Sequence, residues 1–397
     1  MRKIAATYIF PGNQEPIKNG ILVCENDGTI VDIIEKVAPF REEAGVEFYS
    51  GALVPGFVNA HCHLELSHLK DQIEEGTGIG GFIGQINQRR NAAENEVLKA
   101  MQVADRRMWA EGIAAVGDIS NTLNSIPVKK NSAISYHTFV ETFGFHPSRA
   151  ERAFELARTV KNRLEEVQLP ASIVPHSPYS VSEPLFRKIE EEAQKTKGIL
   201  SIHNQESEGE SQFYLDGTGP IADHLKKNLG LDISHWNPRR KSSLETILDF
   251  LPAENKLLLV HNTFTQEEDL KVLLAKRPLE LTYMVLCPNS NLYIENALPP
   301  VPLFKKYGLT ICLGTDSLAS NHSLSILQEM ITIQKNFEGI NLQELVDWAS
   351  LNGAKALGFE DQLGTFEKGK KPGVNLLSGL DLKNRKLTEK TRIKRLV

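Results

Sequence analysis

The chain has 397 residues, 41% of them hydrophobic, a net charge of -5 and a pI near 6.2. That much apolar content supplies a large core and fits one big domain with a small companion. No basic surplus points to nucleic acid as a partner, and no long single-sign run marks a charged tail.

The first residues, Met1-Arg2-Lys3-Ile4-Ala5-Ala6, carry two positive charges, but Thr7 to Gly12 is too short and too broken for the apolar part of a signal peptide. No apolar run approaches the ~18 residues of a spanning helix, so no membrane is expected as a partner. Cys24, Cys62, Cys287 and Cys312 are scattered without a Cys-x-x-Cys pair. A disulfide framework is therefore not expected, and a reducing cytoplasm fits.

Residues 1–52 read as short strands, Lys3 to Phe10, Gly20 to Cys24 and Thr29 to Ile34, with Asn26-Asp27-Gly28 at a turn. Val374 to Leu377 and Thr391 to Leu396 have the same character at the far end. Residues 1–52 and 360–397 are thus expected to form one composite β-sandwich domain, with residues 53–359 inserted between its halves. Within the insert, short apolar strands alternate with charged amphipathic helices. The strands are Val54–Ala60, Ala114–Ile119, Ala133–Val140, Ala171–Pro175, Leu200–His203, Leu257–Val260, Met284–Leu286 and Thr310–Leu313. The helices include Asn95–Glu111, Ser148–Val167, Pro184–Lys195, Gln266–Leu274 and Leu324–Phe337. Eight such strands predict an α/β fold, a (β/α)8 TIM barrel. A doubly wound dinucleotide fold would need a Gly-rich turn after its first strand, where this chain has His61-Cys62-His63. The segment at about 207–254 is too long for an ordinary βα connection and reads as an insertion over the active face.

The chemistry is expected at the carboxyl ends of the strands. His61 and His63, two apart on a strand, face one side with Cα atoms roughly 6.6 Å apart, and one ion between them takes a nitrogen from each. The other strand ends supply Asp118, Ser120 and Asn121; Glu141 and then His146; His176; His203 with Glu206; His261; Asn289, Ser290 and Asn291; and Asp316. Each histidine alone is most simply a hydrogen-bonded core residue. Histidine at so many strand ends together predicts a metal site.

His61-x-His63 after Pro55-Gly56-Phe57-Val58-Asn59, with His203, His261 and Thr315-Asp316-Ser317, resembles the amidohydrolase superfamily over nearly the whole chain. His203 with Glu206, and Cys287-Pro288-Asn289-Ser290-Asn291, resemble its cyclic-amidine deaminase and chlorohydrolase branch. His176-Ser177-Pro178-Tyr179-Ser180-Val181, His261-Asn262 and the long segment after the fifth strand are most similar to the aminofutalosine deaminases of that branch. The resemblance implies that His61, His63, His203 and Asp316 bind one divalent metal. Three imidazoles and a carboxylate suit zinc or ferrous iron. Binuclear relatives bridge two metals with a lysine on the fourth strand; Ala171 to Pro175 has none, so a single ion is expected. Such an ion lowers the pKa of a water it binds from about 15.7 towards about 7.

The resemblance also implies hydrolytic deamination of an amino-substituted heterocycle, a purine nucleoside derivative such as aminofutalosine, with Glu206 shuttling protons, His261 holding the water or the developing charge, and Asp316 accepting a proton. Glu65, His176, Ser320 and Asn321 are candidate substrate-binding residues. Trp236 and Arg239, in the insertion, are candidates to cover a base or steer an acid group, alongside Arg89 and Arg90. Two departures stand out: Leu286 precedes Cys287-Pro288 where relatives often have His, and Pro372-Gly373-Val374-Asn375 stands where they tend to carry Ala-Asp-Leu. Chlorohydrolysis, cyclic-amide hydrolysis and a non-catalytic metal-binding scaffold are the competing readings. The partner expected is a small heterocyclic substrate; a homodimer is left open.

Overall fold

The computed structural model describes residues 1–12, 14–35 and 44–397. The chain starts in a small sheet: β1 (Arg2–Ile9), β2 (Ile17–Lys18), β3 (Ile21–Cys24), β4 (Ile30–Ile34) and β5 (Val46–Pro55). The eight barrel strands follow: β6 (Phe57–Cys62), β7 (Ile113–Ser120), β8 (Ser135–Thr142), β9 (Ala171–Pro175), β10 (Leu200–Asn204), β11 (Leu257–His261), β12 (Thr282–Leu286) and β13 (Thr310–Leu313). The last strands, β14 (Val374–Ser378) and β15 (Arg392–Arg395), return to the first sheet. That sheet has the order β15-β14-β5-β1-β3-β4, with β2 on β1, so both chain ends share one ladder through the antiparallel pair β5–β14. Ile4, Ala6, Leu22, Leu53, Phe366, Val374 and Leu376 form its own core.

One boundary differs from expectation. Val54 and Pro55 belong to β5 and pair with β14, and the first barrel strand starts only at Phe57. Gly56 is the junction. A Cβ there would lie 2.2 Å from the Pro372 carbonyl oxygen and 2.7 Å from Ala114 Cβ, so only glycine lets the chain pass between the two domains.

The barrel consists of two parallel quartets, β6-β7-β8-β9 and β10-β11-β12-β13. The seams between them are closed by few bonds. His203 N–H donates to the His176 carbonyl (3.0 Å), and Thr315 and Asp316 N–H donate to the His61 carbonyl (3.0 and 3.1 Å). Strand alternation divides the apolar residues in two. Val116, Tyr136, Ile173, Leu200, Leu257, Met284 and Ile311 face the surrounding helices, while Val58, Ala115, Phe139, Val174, Leu258, Val285 and Cys312 fill the barrel. The expected helices are present as Glu94–Ala110, Ala150–Glu166, Glu183–Thr196, Glu267–Lys276 and Ile326–Asn336. No helix among the described residues is long and apolar enough to cross a membrane, and all four cysteines are free and buried.

Candidate active site

Three breaks in strand alternation aim the chemistry inwards. A register shift between Asn59 and Cys62 leaves Ala60 in the inner core and Cys62 in the outer one, and it turns His61 towards the barrel mouth. His63 lies just past the end of β6 rather than within it. His261 follows the inward Val260 yet also points in, because its φ is 71°. Asp316, just past β13, has φ 55°. Left-handed backbone at such residues costs of order 1–3 kcal/mol and persists where surrounding structure over-determines it. The Asn59 amide is one such determinant: its Nδ2 donates to Thr315 Oγ1 (2.7 Å), and its Oδ1 accepts from Thr315 N–H (3.1 Å). At Gly314 a side chain would meet Cys287 Sγ and His61 Cβ at 2.9 Å. Asn59 belongs to the Pro55–Asn59 motif, but its pairing with Thr315 spans 256 residues and leaves no local signal in the sequence.

His61, His63, His203 and Asp316 converge, each with one ligand atom within 4.8 Å of the others. Asp316 Oδ1 lies 3.6 Å from His61 Nε2 and 3.3 Å from His63 Nε2, and the Nε2 atoms of His63 and His203 are 3.2 Å apart. His203 Nδ1 sits 2.8 Å from the His176 carbonyl, which only accepts; the proton is therefore on Nδ1 and the Nε2 lone pair faces the cluster. Ser290 and Ser320 hydroxyls donate to Asp316 Oδ2, leaving Oδ1 for the shared centre. Both nitrogens of His61 are buried without a hydrogen-bond partner among the described residues. Burial holds the imidazoles neutral, His63 down to about 4 and His61 and His203 lowered as well. Burial opposes charge on Asp316 too, but the His61 and His63 rings beside it keep its carboxyl well below the usual range. Neutral imidazoles, one carboxylate and orphaned lone pairs on a common point fit one divalent cation.

Glu206 and His261 flank this cluster, with His261 Nε2 3.6 Å from Glu206 Oε1. Gln205, with φ 47°, turns the chain so that Glu206 folds back towards the barrel mouth. The turn is anchored by Gln205 Nε2 on Asp269 Oδ2 (2.8 Å) and by Thr265 Oγ1 on Gln205 Oε1 (2.7 Å). Burial, then the nearby Asp316, raises the Glu206 carboxyl well above its ordinary value, and burial lowers His261 to about 3. A carboxyl biased towards its protonated form thus stands beside an imidazole held neutral by burial. Asn291 Nδ2 lies 3.1 Å from His261 Nδ1 and fixes that ring.

The model of the amidohydrolase family matches residues 52–395. The chain belongs to the amidohydrolase family. It is 28% identical over 333 residues to an adenosine deaminase of Helicobacter pylori (83% of this chain, 79% of the relative). It is 26% identical over 355 residues to an aminodeoxyfutalosine deaminase of Nitratiruptor sp. (87% and 84%). The fold matches the crystal structure of Helicobacter pylori aminofutalosine deaminase in complex with methylthio-coformycin, with a TM-score of 0.82, 23% identity and full coverage of both chains. An amidohydrolase whose relatives are named deaminases is an enzyme of the class that hydrolyses carbon–nitrogen bonds outside peptides.

The cavity over the cluster is lined by some of the expected substrate-binding residues and not by others. Glu65 and His176 line it, as does Arg90. The Glu65 carboxylate, however, is engaged by the Ser120 hydroxyl (2.8 Å), the Thr122 hydroxyl and the Asn121 N–H (3.1 Å). Ser320 and Asn321 do not line the cavity. Ser320 braces Asp316, and Asn321 Nδ2 donates to the Thr315 carbonyl (3.0 Å) and Glu329 Oε1 (2.8 Å); both are buried behind Asp316. Arg89, Trp236 and Arg239 are likewise absent from its lining. Trp236 stacks on Phe213 at 4.9 Å, and the Arg239 guanidinium lies 5.8 Å from the Trp236 ring.

The cover comes instead from the helix Gly78–Arg89, which offers Ile79, Phe82, Ile83 and Ile86 to the cavity. The insertion packs behind it: Phe213, Tyr214, Ile221, Leu225 and Trp236 join Ile79, Phe82 and Ile83 in one apolar cluster. The sequence reading missed this helix because Gly80, Gly81 and Gly84 lie within it, each costing about 1 kcal/mol against alanine. Packing holds it, with Ile79 N–H donating to Glu295 Oε1 (2.6 Å) at its start.

Proposed function

We propose that this enzyme is a metal-dependent hydrolytic deaminase of adenosine-like nucleosides, with aminofutalosine-type compounds among its candidate substrates. The observation that carries the reading is the pairing of a cluster able to hold one ion with a buried carboxyl, Glu206, at its edge, 3.6 Å from His261. His61, His63, His203 and Asp316 would hold the ion, zinc or ferrous iron by the donor set. When bound, it supplies Lewis acidity that makes a water nucleophilic at neutral pH. The water oxygen bonds to the C–NH2 carbon and the C–N bond breaks, giving a carbonyl and ammonia.

Glu206 gives its proton to the ring nitrogen next to that carbon, takes one proton from the water and delivers it to the departing amine; the oxygen's second proton leaves as the carbonyl forms, accepted by Asp316 and returned to Glu206, which restores the acid. His261 stands across from Glu206 and stabilises charge that grows on the attacking oxygen. The apolar face of Gly78–Arg89 excludes bulk water from these transfers. Four free thiols suit a reducing compartment, the cytoplasm.

The test is ammonia release by metal-loaded protein across adenosine, 5′-substituted adenosines, guanine, cytosine, pterin and chlorotriazine substrates. Release from the adenosines is expected; chloride release alone, or no turnover of any of them, overturns the reading. Glu206→Gln is expected to keep the metal and lose about 10²–10³ in turnover. Retention of metal with turnover within about tenfold of wild type would remove Glu206 from the proton path.

A further inference from the structure

A second buried acid lines the cavity, and the chemistry above does not use it. Glu141, at the end of β8, is 7% exposed. Its Oε2 receives one bond, from Asn121 Nδ2 at 3.3 Å, while Oε1 has no hydrogen-bond partner among the described residues. Oε1 lies 3.4 Å from His203 Nδ1, but that nitrogen already donates to the His176 carbonyl at 2.8 Å. It also lies 3.8 Å from His176 Nε2, beyond bonding distance, while Nδ1 of that ring is held by the Ser177 and Ser180 hydroxyls at 3.0 and 2.9 Å. Two polar atoms therefore stand side by side in a cavity wall, too far apart for each other and close enough to share a third group. A buried polar atom left unbonded is costly, so its place on a ligand cavity has a simple explanation: the ligand completes it.

The geometry also selects the kind of group. A hydroxyl donates and accepts at once, so it bonds a carboxyl and an imidazole together in either protonation state of the pair. An aromatic ring nitrogen carries a lone pair or a proton, not both, and satisfies one of the two. The pair sits on β8 and the β9 end, on the other side of His203 from Glu206 and His261, away from the proton path.

We propose that Glu141, with His176, reads a sugar hydroxyl of the substrate and so determines specificity for ribonucleosides over deoxynucleosides. This rests on the nucleoside deaminase reading above. Metal-loaded wild type, Glu141→Gln and Glu141→Ala are compared on the nucleoside wild type turns over best and on its 2′-deoxy and 3′-deoxy counterparts. Wild type is expected to disfavour one deoxy compound by about tenfold or more in kcat/KM. Glu141→Ala should lose about tenfold to hundredfold on the parent, mostly in KM, and less than about threefold on that deoxy compound. Glu141→Gln, which keeps a donor and an acceptor, should recover part of the loss, with metal content equal to wild type in both variants.

Equal losses on parent and deoxy compounds, or loss of metal in the Gln variant, would overturn the assignment. Absence of ammonia release by wild type from every nucleoside would instead bring down the deaminase reading itself.

Discussion

The two sides of the cavity are built differently. The floor is strand ends: His61, His203 and Asp316 sit where the two barrel quartets meet, and the backbone bonds that close those seams run through His61, His176, His203 and Asp316 themselves. The roof is a glycine-bearing helix held by apolar packing, with the insertion stacked behind it. The floor is held by polar bonds between residues far apart in the chain, Asn59 to Thr315 and His203 to His176 among them. The roof needs only to present apolar surface, so contacts of lower precision serve it. On the proposed function, this difference assigns the chemistry to the floor and the recognition of the rest of the substrate to the roof.

Breaking the floor should have the largest effect. His203→Ala removes one ligand and the imidazole that bonds the His176 carbonyl across a seam. Metal content after dialysis is expected to fall to a small fraction of wild type, and ammonia release by at least about a thousandfold. Elemental analysis and a circular dichroism spectrum show whether the barrel survives without its ion. Activity persisting at wild-type metal content would mean that the four-residue cluster is not the metal site.

A mutation of the roof should act on binding instead. Phe82 lines the cavity and also touches the cluster behind the helix. Phe82→Ala is expected to raise KM by about tenfold with kcat within about threefold of wild type, as expected for contacts made equally in ground and transition states. A fall in kcat as large as the rise in KM would show that the roof also shapes the reacting geometry.

The same contrast explains what could be read from the chain beforehand. The barrel strands are short apolar runs, legible from composition, and the candidate residues His61, His63, His203, Glu206, His261 and Asp316 stand at or just past their carboxyl ends, where the fold brings them together. The β5–β6 boundary was not legible, because Ala52 to Ala60 is one apolar stretch and only the Pro372 carbonyl pressing on Gly56 shows where it divides. Ser320 and Asn321 lie behind the Asp316 carboxylate and not in the cavity lining, and proximity to Asp316 in sequence does not say which side of it they occupy. The roof helix is masked by its glycines, and the length of the insertion does not say which layer it forms: Trp236 packs behind the cover and does not line the cavity.

That support yields the smallest expected effect on activity and the sharpest separation of the two roles. Trp236 lies nearly parallel to Phe213 (6°), with Phe145 at 5.9 Å and Tyr214 at 5.2 Å, and none of its atoms reaches the cavity wall. Trp236→Leu keeps an apolar side chain but removes ring area from a packed cluster, a loss of about 2 kcal/mol. For a chain of this size that lowers Tm by a few degrees. Because Phe213 and Ile221 remain against the roof helix, KM and kcat should stay within about threefold of wild type at temperatures well below the transition. A tenfold rise in KM without a fall in Tm would instead mean that the insertion sets the position of the roof directly, and the cavity would then have to be treated as a three-layer structure in which the outermost layer contributes to recognition.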